Sequence, residues 1–233
     1  MAELTQASVA RACLVGIPGV VDNEYVLDCA KAANGRLVPI AGVDPFHRAD
    51  LGCLEGDLAA LAQSGFAGIK LHPRLNGYDP VDPRCLETIR AAAAQHLVVF
   101  LDTLFRQRQQ VTAHAADVVD RIAHECAGAT IVLLHAGGPA LLELAEVVRL
   151  HQALVLDLSF TLLYYEGSSL DADLRWVMER LDRRLVIGSD MPEFTPAAAF
   201  ERAERLACGL AAEKWAHVAF QNLERLFPSG STA

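Results

Sequence analysis

Three stretches of this chain share one grammar. Gly68-Ile69-Lys70-Leu71-His72-Pro73, Ile131-Val132-Leu133-Leu134-His135-Ala136-Gly137-Gly138 and Leu185-Val186-Ile187-Gly188-Ser189-Asp190-Met191-Pro192 are each a short apolar run that ends in an ionisable residue, followed closely by Gly or Pro. A short run without polar/apolar alternation reads as a strand buried on both faces, which means a parallel sheet covered by helices. Glycine and proline then punctuate the end of the strand. Polar groups delivered repeatedly at that end are the pattern of a β/α enzyme, whose site lies where its parallel strands stop.

The rest of the chain fits the same scheme. Ala12–Pro18 is the first strand signal, and Asp22 or Asn23 caps a helix that stops at Asn34-Gly35. Arg36–Val43 is the second strand, followed by Asp44-Pro45-Phe46-His47, and a helix over Cys53–Ser64 leads to the third, Ala67–His72. Asp82-Pro83 supplies a cap and a first-turn proline for a helix to Gln95. Leu97–Asp102, Thr130–His135, Leu154–Ser159 and Leu185–Asp190 complete the strands. Helices read at Val111–Cys126, from Gly137-Gly138-Pro139 to Leu150, at Ser168–Leu181, from Thr195-Pro196, and at Ala211–Phe227. Strict alternation predicts a TIM-like (β/α) barrel of seven βα units, with the first strand of the usual eight missing before Ala12. Residues 1–228 form one domain in this reading, and 229–233 a loose tail.

At 233 residues and 52% hydrophobic the chain can bury one large core. Its 29 acidic against 20 basic residues give a net charge of -9, which argues against a nucleic-acid partner. No apolar run approaches the roughly 18 residues of a membrane span, and the N-terminal stretch MAELTQASVARACLVG does not read as a secretory signal. The six cysteines never form a Cys-x-x-Cys pair. They read as reduced thiols of a cytoplasmic protein.

Active groups belong at strand C-termini. That filter keeps Asp44, His47, Lys70, His72, Arg74, Asp102, Arg106, Arg108, His135, Asp157, Ser159, Asp190 and Glu193. It sets aside His96, His114, His124, His151 and His217 as packed or solvated. Strand alternation puts Lys70 and His72 on one face, His135 on the face of Leu133, and Asp190 on the face of Gly188 and Val186. A buried, unpaired Lys or Asp is costly. Convergence of these groups therefore implies mutual pairing, a metal or a substrate. A plain salt-bridge network of Lys70 with Asp190 or Asp102 is the structural alternative.

GIKLHP at Gly68–Pro73, LLHAGG at Leu133–Gly138, LDLS at Leu156–Ser159, IGSDMP at Ile187–Pro192 and QNLERLF at Gln221–Phe227 together resemble the amidohydrolase superfamily. The nearest branch is the one that includes aminocarboxymuconate-semialdehyde decarboxylase, and the resemblance runs from about Val9 to Phe227. It implies a distorted eight-stranded barrel and one divalent metal, zinc first, with manganese or magnesium as alternatives. The family's His-x-His pair is absent from this sequence, and Asp102 stands where the family places a His after the fifth barrel strand. His135 matches the catalytic His of the sixth strand, and Asp190 the Asp of the eighth. The implied metal ligands are Asp190, Asp102 and His72. The implied chemistry is metal-assisted hydrolysis of an ester, lactone or amide, or decarboxylation, of a small carboxylate-bearing metabolite. A metal would lower the pKa of its bound water towards ~7, Asp190 would move the proton, and His135 would stabilise charge on the attacked oxygen. Lys70 with Arg74, Arg106 or Arg108 would hold the substrate carboxylate, with His47 in the same substrate-binding set. Two other readings stand beside this one. Lys70, desolvated in a barrel, could form a Schiff base with a carbonyl substrate. Alternatively, a metal-free or non-catalytic barrel could bind an acidic metabolite. A missing strand would leave two sheet edges unpaired, so a homo-oligomer is expected.

Overall fold

The computed structural model describes residues 1–47, 54–107 and 110–228. Its strands, in chain order, begin with β1 (Ala12–Val15), β2 (Leu37–Val43), β3 (Gly68–Leu71) and β4 (Val98–Asp102). A small hairpin follows, β5 (Arg106–Gln107) and β6 (Gln110–Val111), and then β7 (Ile131–Leu134), β8 (Leu154–Asp157) and β9 (Leu185–Val186). Seven strands form one sheet in the order β1-β2-β3-β4-β7-β8-β9, and every pairing in it is parallel. Each strand thus lies beside its predecessor with a helix crossing between, as in a (β/α) barrel that lacks its first strand. The two sheet edges are β1 and β9.

The helices form for the reasons the sequence supplies. Asp82 accepts a bond from the backbone N–H of Arg84 at 2.9 Å, with Pro83 next to it, and Thr195 accepts from Ala198 at 3.2 Å, with Pro196 next to it. The helix Ala115–Glu125 buries Ala115, Val118, Val119 and Ile122, a spacing of three and four residues that makes one apolar stripe. It starts later than the expected Val111, because Gln110 and Val111 belong to the hairpin. The C-terminal helix runs through Ala212–Ala216, a wider turn at His217–Gln221, and Asn222–Leu226. No helix among the described residues is long and apolar enough to cross a membrane. Cys13, Cys29, Cys85, Cys126 and Cys208 are free thiols.

Two apolar layers flank the sheet. The outer one packs Ile69, Leu71, Val99, Leu101, Ile131, Leu133, Leu154 and Leu156 against the helices. The inner one is smaller: Val38, Ile40, Val98, Phe100, Val132, Leu134, Val155 and Val186, plugged by Phe227. Phe227 stacks on Phe100 with ring centres 6.2 Å apart. Apolar residues thus close the lower part of the barrel interior, and polar groups take the upper part.

The QNLERLF stretch has a mechanical role in this arrangement. Asn222 is buried, and its side-chain amide donates to the carbonyls of Asp182 and Leu185 at 2.6 Å each. His217 Nδ1 lies 2.6 Å from Asp182 Oδ2. These bonds hold the short strand β9 from outside, where a longer ladder would otherwise do so. Asn222→Ala strands the buried Leu185 carbonyl and the partly buried Asp182 carbonyl, and a buried carbonyl left unpaired costs about 1–3 kcal/mol. We expect a lower urea midpoint with an unchanged denaturant slope in that variant.

Candidate active site

Residues in register on neighbouring parallel strands share a face, and Lys70 lies in register with Gly42 and Phe100. Phe100 in turn pairs with Val132, Asp102 with Leu134, and Asp157 with Val186. Lys70, Asp102 and Asp157 therefore point into the barrel above its apolar floor, and His72 follows Lys70 on the same side. All four are buried.

Asp102 is the centre of the cluster and is fully buried. Its Oδ2 accepts from Arg74 Nη2 at 3.0 Å and lies 3.4 Å from both His72 Nδ1 and His135 Nε2. Its Oδ1 accepts from the backbone N–H of Leu104 at 3.1 Å. Burial alone would raise its pKa. The pairing with His135 and the charges of His72 and Arg74 outweigh burial and hold the carboxyl well below the usual carboxylate range. Arg74 reaches it from the short helix Pro73–Asn76, which begins where β3 ends.

His135 does not follow the strand alternation that would have put it with Leu133 in the outer layer. β7 stops at Leu134, and His135 takes a φ of 65°. Ala136, Gly137 and Gly138 continue in the left-handed half of the map, with φ of 44°, 71° and 59°. This turn swings the imidazole inward to Asp102. Two buried threonines, which the sequence reading passed over, fasten it. Thr103 Oγ1 donates to the Leu134 carbonyl at 2.6 Å and accepts from the Gly137 N–H at 2.8 Å. Thr161 Oγ1 donates to the His135 carbonyl at 2.6 Å.

The other ring nitrogen, His135 Nδ1, lies 3.0 Å from Ser159 Oγ. The Ser159 hydroxyl donates to Asp157 Oδ2. With that proton committed, His135 Nδ1–H is the donor to Ser159, and Nε2 faces the Asp102 carboxylate at 3.4 Å. Burial works against a charged imidazole here, but the Asp102 carboxylate overcomes it and raises the pKa of His135. Burial raises the pKa of Asp157, with the Ser159 bonds opposing.

Asp190 arrives by a different route from the one expected. Pairing in β9 ends at Val186, so strand alternation does not govern it, and Asp190 has a φ of 58°. It is half-buried, and its charge bears on Lys70, His135 and Asp157. Gly188 lets this segment pass close over the cluster: a Cβ there would lie 2.7 Å from Asp157 Oδ1 and 2.8 Å from Ser159 Cβ. Burial pulls the Lys70 ammonium below its ordinary value, with Asp102 and Asp190 opposing.

The remaining candidates lie further out. Arg106 sits 5.7 Å above the Phe160 ring, which meets the His135 ring edge-on at 5.9 Å. Phe160 also stacks on Tyr164 at 4.5 Å and approaches Phe194. His47 is exposed on the loop after β2. Arg108 lies outside the described residues.

The expected metal ligands Asp190, Asp102 and His72 do not gather as a donor set. Among the described residues, Asp120, His124 and His151 alone bring three donor atoms within 4.8 Å of one another. His72 Nδ1 is buried without a hydrogen-bond partner, as a ligand nitrogen would be. The Asp102 oxygen facing it, however, is already held by the Arg74 guanidinium. Lys70, Arg74 and His135 lie in the same cluster as Asp102, Asp157 and Asp190, so its acidic groups already have basic partners. The residues present thus do not fit a divalent ion at Asp102.

The two histidines respond oppositely to pH. Burial lowers the pKa of His72 from 6.5 to about 4. Its contribution to stability is full above about 6.5 and is lost as pH falls towards 4. That of His135, whose pKa is raised, is full below about 6.5 and is lost as pH rises through its folded value. Melting temperatures of His72→Gln measured between about pH 7 and pH 4 are expected to fall less steeply than those of the parent.

Solved structures share this architecture. An uncharacterized TIM-barrel protein from Bordetella bronchiseptica superposes with a TM-score of 0.82 at 19% identity, covering 97% of this chain and 80% of that one. A probable 2-pyrone-4,6-dicarboxylic acid hydrolase from Acinetobacter baumannii, with citric acid bound, gives 0.68 at 16% identity, covering 97% and 86%. A 5-carboxyvanillate decarboxylase from Novosphingobium aromaticivorans, complexed with manganese and a nitrobenzoic acid, gives 0.71 at 13% identity, covering 97% and 78%. No curated protein matches this chain in sequence. The amidohydrolase family model matches residues 10–228, nearly the whole described chain, and this protein belongs to the amidohydrolase family.

Proposed function

We propose that this chain is an acid–base enzyme that hydrolyses or decarboxylates a small, flat, carboxylate-bearing metabolite. The observation that carries the reading is the buried Asp102 carboxylate, with Arg74, His72 and His135 around one oxygen at 3.0–3.4 Å. A charged, hydrogen-bonded cluster this deep is costly unless it serves chemistry or is fully paired. His135, held between Asp102 and Ser159, acts in this reading as a fixed imidazole whose raised pKa favours the charged form, offsetting negative charge that develops on the substrate. Asp190, half-buried at the mouth of the cluster, is the group with access to accept a proton and return it to the leaving group. Lys70 and Arg106 supply positive charge for a substrate carboxylate, and the Phe160–Tyr164 stack gives it a flat wall. Two of the structural neighbours, a probable 2-pyrone-4,6-dicarboxylic acid hydrolase and a 5-carboxyvanillate decarboxylase, both take carboxylate substrates or ligands, which supports the same substrate class.

The role a divalent metal would play on Asp102 falls to Arg74 in this reading. Zinc and manganese content, measured by plasma mass spectrometry, is expected to be unchanged by His72→Gln or Asp102→Asn. Loss of one equivalent in either variant would restore the metal-dependent mechanism.

A second reading is favoured by Lys70 itself, which is buried and less basic than an ordinary lysine. Such an amine can attack a carbonyl and form a Schiff base. Borohydride reduction in the presence of a small keto acid, followed by peptide mass mapping, separates the two. The acid–base reading expects no adduct on Lys70, and an adduct there would favour the lyase. Against a panel of aromatic and lactone carboxylates, His135→Gln should lower kcat by about 10²–10⁴-fold. Turnover left intact in that variant would remove His135 from the mechanism.

A further inference from the structure

The residues that gather most like metal ligands lie at the opposite end of the barrel. We propose that Asp120, His124 and His151 form a divalent transition-metal site that ties two neighbouring helices together. Asp120 and His124 are one turn apart on the helix Ala115–Glu125, so their side chains share a face. His151 directly follows the helix Leu141–Leu150 and precedes β8, and Leu154 N bonds back to its carbonyl at 3.2 Å. The trio thus sits where strands begin, whereas Asp102 and His135 sit where strands end.

The geometry is close to what zinc needs. Asp120 Oδ1 lies 2.7 Å from His151 Nε2 and 3.6 Å from His124 Nδ1. Donors around a tetrahedral zinc, with bonds of about 2.0–2.1 Å, are about 3.3–3.5 Å apart. The two gaps bracket that spacing, so small side-chain movements suffice. The His124 ring meets the His151 ring edge-on at 4.7 Å. His124 now spends Nδ1 on the Asp120 carbonyl at 2.9 Å, but its side chain is 68% exposed and free to turn. His151 is more buried, and Arg184 holds its carbonyl at 3.1 Å, which fixes the third ligand's backbone. Two neighbouring cations are already occupied, Arg121 with Glu125 at 2.7 Å and Arg149 with Glu146 at 3.1 Å. Two imidazoles and one carboxylate suit zinc or cobalt, with solvent completing the coordination. Zinc would replace the Asp120–His151 hydrogen bond with coordination to both groups.

The test uses the full chain, stripped with a chelator and titrated with zinc chloride by calorimetry, with melting temperature as a second readout. One equivalent should bind the parent chain and raise its melting temperature. His124→Ala, a change at an exposed position, should weaken binding about tenfold or more and abolish the thermal shift. Asp120→Asn should do the same, and His72→Gln should leave both readouts unchanged. The proposal is overturned if the parent binds no zinc, or if His124→Ala binds it as the parent does. The latter result, combined with loss in His72→Gln, would locate the ion at Asp102 instead.

Discussion

The structure depends on a single buried charge. Asp102 ends β4 on the inner face of the barrel, where an isolated carboxylate could not be tolerated. It survives because a guanidinium, two imidazoles and a backbone N–H converge on its two oxygens. Removing one partner from such a buried cluster typically costs about 3–5 kcal/mol, since the charge left behind has no water to turn to. That requirement fixes the geometry of β3, the short helix after it, and the turn after β7, because each delivers one partner.

The turn after β7 is where this constraint meets backbone physics. Four successive residues occupy the left-handed region, and only two of them are glycines. Left-handed backbone at His135 and Ala136 carries strain, and Thr103 and Thr161 offset it by satisfying the buried amide and carbonyl groups at the turn. The gain is a histidine aimed inward, with Asp102 on one nitrogen and Ser159 on the other. The cluster then continues through Ser159 to Asp157, so three strand ends share one hydrogen-bonded chain.

Below the cluster, the barrel interior is closed by packing. Phe100 and Phe227 meet across the floor, so the chain's last helix serves the first half of the sheet as well as β9. Such a floor, together with helices outside the sheet, keeps water from the lower side of Lys70 and Asp102. Burial lowers the basicity of Lys70 and His72 for this reason, and Asp102 stays ionised only by its pairing.

Much of this was legible in the residues. Apolar runs such as Val98–Asp102 and Ile131–Leu134 are buried at every position, so their hydrophobicity directly encodes a sheet covered on both sides. Helix starts at Pro83 and Pro196 were legible because Asp82 and Thr195 make local caps. Lys70 and His72 were correctly paired on one face because strand geometry alternates strictly. His135 was not, because it sits just beyond its strand at positive φ, where that rule lapses. Thr103, Thr161 and Arg74's hold on Asp102 are contacts between distant segments, and no local pattern marks them. The sequence by itself determined the order of strands and helices and the end at which polar groups collect, since both follow from local hydrophobic period and punctuation. Only the tertiary structure decided which polar groups touch, because a buried charge selects its partners by distance and desolvation rather than by position in the chain.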